Sequence, residues 1–236
     1  MRNYIIRILG RTLGHCLALA ALVLTALPTR GQDYYATLRN ELAAKGLPAG
    51  ELVFGTNETE VLGKFVLGGG GKLAGDQMQT VNVTGQPFTK ALQVTISTAK
   101  TNPWELNVKA LTDRTIGQGD VLLGVAYFRA VESANESGQG TADFLVKDAL
   151  NASTSWNQTE SAMIAGAGWQ KYYFSLQARI TTTAGQAWAE FFVGHQRQKL
   201  EIGGVALINY RQSVSLSQLP KTELNLNYAG REAGAA

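Results

Sequence analysis

Three side chains of this 236-residue chain are of a type and placement to break bonds: Glu190, Glu201 and His195. Hydrolysis of a glycosidic bond needs only two carboxyl groups, one as acid and one as base or nucleophile. Glu190 in "AWAEFFVG" and Glu201 in "QKLEIGG" both fall on extended runs and could face one cleft. Against that, the chain carries 18 Asp and Glu, and an ordinary surface or hydrogen-bonding acid is the favoured reading of each. His195 follows Gly194 at the end of a run and reads as an exposed turn residue. A zinc site wants several His or Cys ligands, and after residue 31 only this one imidazole and no thiol remain. There is no G-x-S-x-G nucleophile elbow. "VLGGGGKLAG" fails as a phosphate loop, because Leu73 follows Lys72 where Ser or Thr should stand and Val66 occupies the first glycine position.

The elements that must position these residues are short strands. "QTVNVTG", "ALQVTIST", "WELNVKAL", "DVLLGVAYFRA", "ADFLVKD", "KYYFSLQARI", "AWAEFFVG", "QKLEIGG" and "VALINYRQ" are rich in Val, Ile, Thr, Tyr and Phe. Many alternate apolar and polar residues, with Gly, Asn, Ser or Pro between them. Nine strands at this spacing predict an all-β fold of two packed antiparallel sheets. Gly203 and Gly204 separate the last two runs and read as a sharp bend between them. Before them, "DYYATLRNELAAKG" predicts one short helix: Asp33 caps it, Tyr35, Leu38 and Leu42 share a face, and Gly46 ends it. Residues 131–144 and 151–169 are polar insertions at the rim.

The N-terminus reads as a secretory signal. Three arginines precede the apolar run "CLALAALVLTAL", and Thr29 and Gly31 suit a cut before Gln32. Secretion, or export to a periplasm, is expected, with no membrane attachment after cleavage. Losing Arg2, Arg7, Arg11 and Arg30 takes the 21 Lys and Arg to 17, against 18 acids. The remaining chain is therefore near neutral, and no basic patch argues for nucleic acid. The only Cys leaves too, so no disulfide is expected. The expected organisation is a signal peptide at 1–31, a helical and turn-rich lead-in at 32–74, a β-sandwich at 75–228 and a tail at 229–236.

Six stretches together, "VTGQPFTKALQVTI", "NPWELNVKAL", "GDVLLGVAYFRA", "GWQKYYFSL", "AWAEFFVG" and "QKLEIGGVALINY", resemble the non-catalytic β-sandwich module that precedes the barrel in many family 10 glycoside hydrolases (xylanases). That module is similar to carbohydrate-binding modules of families 4, 9 and 22, which share a galactose-binding-like jelly roll. The resemblance spans roughly residues 75 to 232. The ending "LPKTELNLNYAGREAGAA" resembles the linker before a barrel. The resemblance implies a jelly roll that binds plant-type β-glycan such as xylan without cleaving it, and a separate glycoside hydrolase barrel as a partner. Similar modules often hold a structural calcium ion. No compact acidic loop offers oxygen ligands for one here, so no metal or other cofactor is expected.

A sugar ring has an apolar face of C–H groups and a rim of hydroxyls, so its site needs aromatic platforms and planar or charged polar groups. Alternation along "AWAEFFVG" puts Ala189, Phe191 and Val193 on a core face and Trp188, Glu190 and Phe192 on the other. Along "VLLGVAYFRA", Tyr127 and Arg129 share a face. If the two strands lie in one sheet, these five residues line one concave surface. Trp104 and Trp169 are expected in the core, since the similar modules place tryptophans there. Trp156 is either a rim platform or a loop anchor, and at most one of Tyr172 and Tyr173 reaches a groove. The rivals are a structural or adhesive sandwich with no sugar site, and a glycosidase with an unfamiliar carboxylate pair.

Overall fold

The computed structural model describes residues 33–150, 155–156 and 162–222. The signal segment and the tail lie outside the described residues, as does part of the second polar insertion. Helix α1 (Tyr34–Ala44) opens the described chain. Strand β1 (Glu51–Leu52), helix α2 (Glu58–Gly63) and strand β2 (Val66–Gly68) follow. Next come β3 (Gln77–Asn82), β4 (Lys90–Ile96), β5 (Asn107–Leu111), β6 (Val121–Ser133), β7 (Gly140–Asp148), β8 (Ala162–Ala165), β9 (Gln170–Gln177), β10 (Ala187–Phe192) and β11 (Gln198–Asn209).

The strands form two antiparallel sheets. The first has the order β3-β4-β11-β6-β9, with β1 also on β11; the second has the order β2-β5-β10-β7-β8. The fold is thus the two-sheet all-β sandwich expected. Its core is built by alternation: Leu92, Val94 and Ile96 of β4, Phe128 of β6, Phe174 of β9, Phe144 and Val146 of β7 and Phe191 of β10 are all buried between the sheets. Phe144 packs at 5.0 Å from Phe191 and 4.8 Å from Phe174, tying the two layers together.

Residues 33–74 are more than a lead-in. β1 and β2 each add a strand to one of the sheets, and α1 buries Tyr34, Tyr35, Leu38 and Leu42 in the same core. The Asp33 side chain caps α1 by accepting from the Tyr35 N–H, and Gly46 ends it at φ 83°.

β11 corrects the expectation of two strands. It is one strand with a bulge between Gly203 and Ala206. Its first half pairs with β4 and its end with β1. The two glycines serve a row of rings and not a sharp bend. A Cβ on Gly203 would sit inside the Phe88 ring, and one on Gly204 would press on Tyr127, Phe88 and Tyr34. Gly204 also takes φ 54°, a left-handed conformation that favours glycine. The Tyr34 hydroxyl donates to the Gly204 carbonyl at 2.5 Å and that of Tyr35 to the Val205 carbonyl at 3.0 Å, so the bulge also docks α1. Gly203→Ala is expected to cost about 1–3 kcal/mol by overpacking, read as a lower melting temperature; an unchanged melt would show that Phe88 can step aside.

Candidate functional site

The five residues expected on one surface are divided between two. Tyr127 and Arg129 lie on β6 in the six-stranded sheet, and Trp188, Glu190 and Phe192 on β10 in the five-stranded sheet. Within each group the expected sharing of a face holds, because alternation is local to a strand. A common concave surface does not form, because β6 and β10 belong to opposite layers. The same division separates Glu190 from Glu201, so these carboxylates do not face one cleft.

On the outer face of the six-stranded sheet, Gln79, Gln93, Glu201 and Arg129 stand opposite one another on β3, β4, β11 and β6. They form one continuous relay. Gln79 Nε2 donates to Gln93 Oε1 at 2.9 Å, and Gln93 Nε2 donates to Glu201 Oε1 at 2.9 Å. Arg129 Nε donates to Glu201 Oε2 at 2.7 Å. The guanidinium carbon of Arg129 lies 4.9 Å from the Trp169 ring centre, and Trp169 meets Phe88 edge-on at 5.1 Å. The result is a band of planar polar groups across four strands with an indole at its end. The buried Glu201 carboxylate fixes both neighbours, so the band is held in place before any ligand arrives. A groove of about 480 Å³, lined by Thr95, Ser97, Glu132, Ser133, Arg197 and Lys199 among others, adjoins the band toward the strand ends.

The other side of the band is walled by α1. Tyr34 packs edge-on against Phe88 and Tyr127. Glu41 accepts from Lys171 at 2.5 Å and from the Tyr173 hydroxyl. Burial pushes the Glu41 carboxyl up, but these hydrogen bonds outweigh it and the net shift is downward. Burial first, and then the Glu41 charge, push the Tyr127 phenol up to about 12. Tyr127 therefore belongs to the packed wall beside the band, with Arg129 in the band itself.

Two of the tryptophans depart from expectation. Trp169 is half-buried on the outer face and not in the core, because the alternation of β9 carries outward from Lys171, the partner of Tyr127. Trp104 is 55% exposed, because Pro103–Glu105 is a 3₁₀ turn and not the start of a strand. Trp156 is a buried anchor. Tyr172 points inward and Tyr173 outward. His195 is no free turn residue: its Nε2 lies 2.8 Å from Asp143 Oδ2. Gln79 and Gln93 went unnoticed in the sequence, although each takes a polar place in an alternating strand. Among the described residues no three His, Cys, Asp or Glu converge as a metal site, and no helix is long and apolar enough to cross a membrane.

No protein-family model and no curated protein matches the chain. Among solved structures it is similar to a CBM4 module, at 15% identity and TM-score 0.46 over 64% of this chain and 98% of that one. It is also similar to a Clostridium thermocellum xylanase portion with CBM22-1 and GH10 modules, complexed with xylohexaose, at 8% identity and TM-score 0.46 over 69% of this chain and 29% of that one. A third is a CBM22-1 xylan-binding domain from Paenibacillus barcinonensis, at 10% identity and TM-score 0.44 over 68% and 96%. At such identities the likeness is one of fold, and the sandwich rests on its own strand pairing.

Proposed function

We propose that the protein is an exported carbohydrate-binding module, secreted or periplasmic, that holds a plant-type β-glycan such as xylan on the outer face of its six-stranded sheet. The observation that carries this reading is the Gln79–Gln93–Glu201–Arg129 band ending on Trp169. Amide and guanidinium edges suit the hydroxyl rim of a sugar, and the indole suits its C–H face. Side chains that already hold one another lose little freedom on binding, which favours affinity. A non-catalytic role is supported by the two candidate acids: Glu190 is ion-paired to Lys147 and Glu201 to Arg129, on different sheets. Hydrolysis would want carboxyl groups roughly 5–9.5 Å apart across one bond. A separate hydrolase barrel is the partner such a module would serve.

Shallow sites of this kind give dissociation constants of roughly 10 µM to 1 mM, about −4 to −7 kcal/mol. The test is native gel retardation in soluble xylan. Trp169→Ala and Gln79→Ala are each expected to weaken retardation several-fold; Gln79 is exposed on an edge strand, so its variant stays folded. No retardation of the wild type by any β-glycan would leave the structural or adhesive reading in possession. Reducing-sugar release lost on mutating Glu201 or Glu190 would reinstate the enzyme.

A further inference from the structure

We propose that the outer face of the five-stranded sheet carries a second site, for a uronic acid residue, built on Lys109 and Trp188. It rests on the polysaccharide reading only in taking the ring to be a sugar. A hollow of about 340 Å³ is lined there by Lys64, Val66, Lys109, Leu111 and Trp188. Its apolar walls are open: Val66 is 56% and Leu111 47% exposed, on strands where a side chain of this kind ordinarily seeks cover. Lys109 Nζ sits 3.9 Å above the Trp188 ring.

The charges around the hollow are already matched, except one. Glu190 is held by Lys147 at 2.9 Å, Asp143 by His195 at 2.8 Å, and Asp113 by Lys64 at 3.0 Å. Glu190 stands opposite Lys109 across the strands, but its carboxylate is ion-paired to Lys147, and among the described residues Lys109 makes no ion pair of its own. Its contact with the indole is an attraction to the ring's electron cloud and leaves the full positive charge in place. The Trp188 indole N–H is also buried without an acceptor. The hollow therefore presents a cation without an ion pair of its own beside open apolar surface.

A ring with a C–H face and one carboxylate matches both. A neutral sugar leaves Lys109 uncompensated, and a small anion such as acetate leaves Val66 and Leu111 uncovered. The two outer faces of a sandwich point away from each other, so a charged branch and a neutral backbone can be held by one molecule at the same time, from different chains.

The test is a titration of the ¹⁵N-labelled protein with methyl β-D-glucuronide, following the indole N–H signals. Trp188→Phe identifies the Trp188 signal by its disappearance. That signal is expected to shift with glucuronide and not with methyl β-D-glucoside. Lys109→Gln should weaken the response at least fivefold, and Lys109→Arg, which keeps the charge, should retain it within twofold. Neutral xylo-oligosaccharide should still shift the Trp169 signal in Lys109→Gln, and Trp169→Ala should leave the glucuronide response intact, which separates failure of this site from failure of the other. No glucuronide response, a response that survives Lys109→Gln, or an equal response to glucoside, acetate or benzoate overturns the proposal.

Discussion

Phe191→Ala is expected to melt far below the wild-type protein, while Trp188→Ala, three residues earlier on the same strand, should melt close to it. Phe191 is fully buried and packs on Phe144 of its own sheet at 5.0 Å and on Phe65, just before β2, at 5.9 Å; Phe144 in turn meets Phe174 of the opposite layer. Its truncation removes the apolar contacts and leaves a cavity that rigid neighbouring strands cannot close. Such a change costs about 3–5 kcal/mol, or roughly 6–20 °C in a domain of this size. Trp188 lies half-buried on the outer face, under Lys109, and its loss opens no void in the core. The measurement is a pair of thermal melts read by circular dichroism. The reverse order of the two variants would mean that β10 is turned inside out. Binding gives the complementary readout: Trp188→Ala should spare the retardation in neutral xylan.

The orientation of β10 was legible in the sequence because period-two alternation is a property of one strand. "AWAEFFV" places four small or apolar residues inward and Trp188, Glu190 and Phe192 outward without help from any neighbour. Helix α1 was legible for the same reason: its cap, its apolar face and its terminating glycine all lie within 14 residues of one another. Sheet membership was not legible. Tyr127 and Trp188 both point outward from their strands, and nothing local says that one strand pairs with β11 and the other with β5 and β7. Hence the sugar-binding set joined residues from opposite faces. Gly203 and Gly204 misled in a related way. Two glycines are a turn signal when only the chain is considered. Here they are small because Phe88, Tyr34 and Tyr127, distant in sequence, occupy the space where side chains would be. The polar band was hidden because Gln79, Gln93, Glu201 and Arg129 gain their meaning only from cross-strand register.

Removing the cation from the Asp76–Lys100 pair is expected to destabilise the end of the sandwich beside the polar band, and to do so in a pH-dependent way. Both side chains are almost wholly buried, 3% exposed for Lys100 and 0% for Asp76, with Nζ and Oδ2 2.7 Å apart. Asp76 also accepts from the Leu73 N–H at 2.8 Å, the Ser97 N–H at 2.9 Å and the Ser97 hydroxyl at 2.7 Å. It thereby pins the loop before β3 to the end of β4, and Ser97 lines the groove next to the band. Burial pushes the Asp76 carboxyl up, but Lys100 and the three other donors outweigh it and hold it at about 2. A carboxyl held lower in the folded protein than in the unfolded chain, where it titrates near 3.9, stabilises the fold fully above that value. The contribution is lost as pH falls from about 4 toward 2. In Lys100→Met the buried carboxylate loses its counter-charge, at a cost of about 3–5 kcal/mol when one partner of such a pair is removed. Three hydrogen bonds remain, which places the effect toward the lower figure. Its carboxyl rises toward the unfolded value, so the acid-induced loss should still begin near pH 4 but be smaller and complete at higher pH than in the wild type. Asp76→Asn combined with Lys100→Met should recover part of the stability, since no charge is then left buried. Thermal melts between pH 2 and pH 7 decide it: a Lys100→Met variant that follows the wild-type curve throughout would show that the backbone and Ser97 donors alone hold the carboxylate, and the groove would then keep its shape and its affinity for xylan without the lysine.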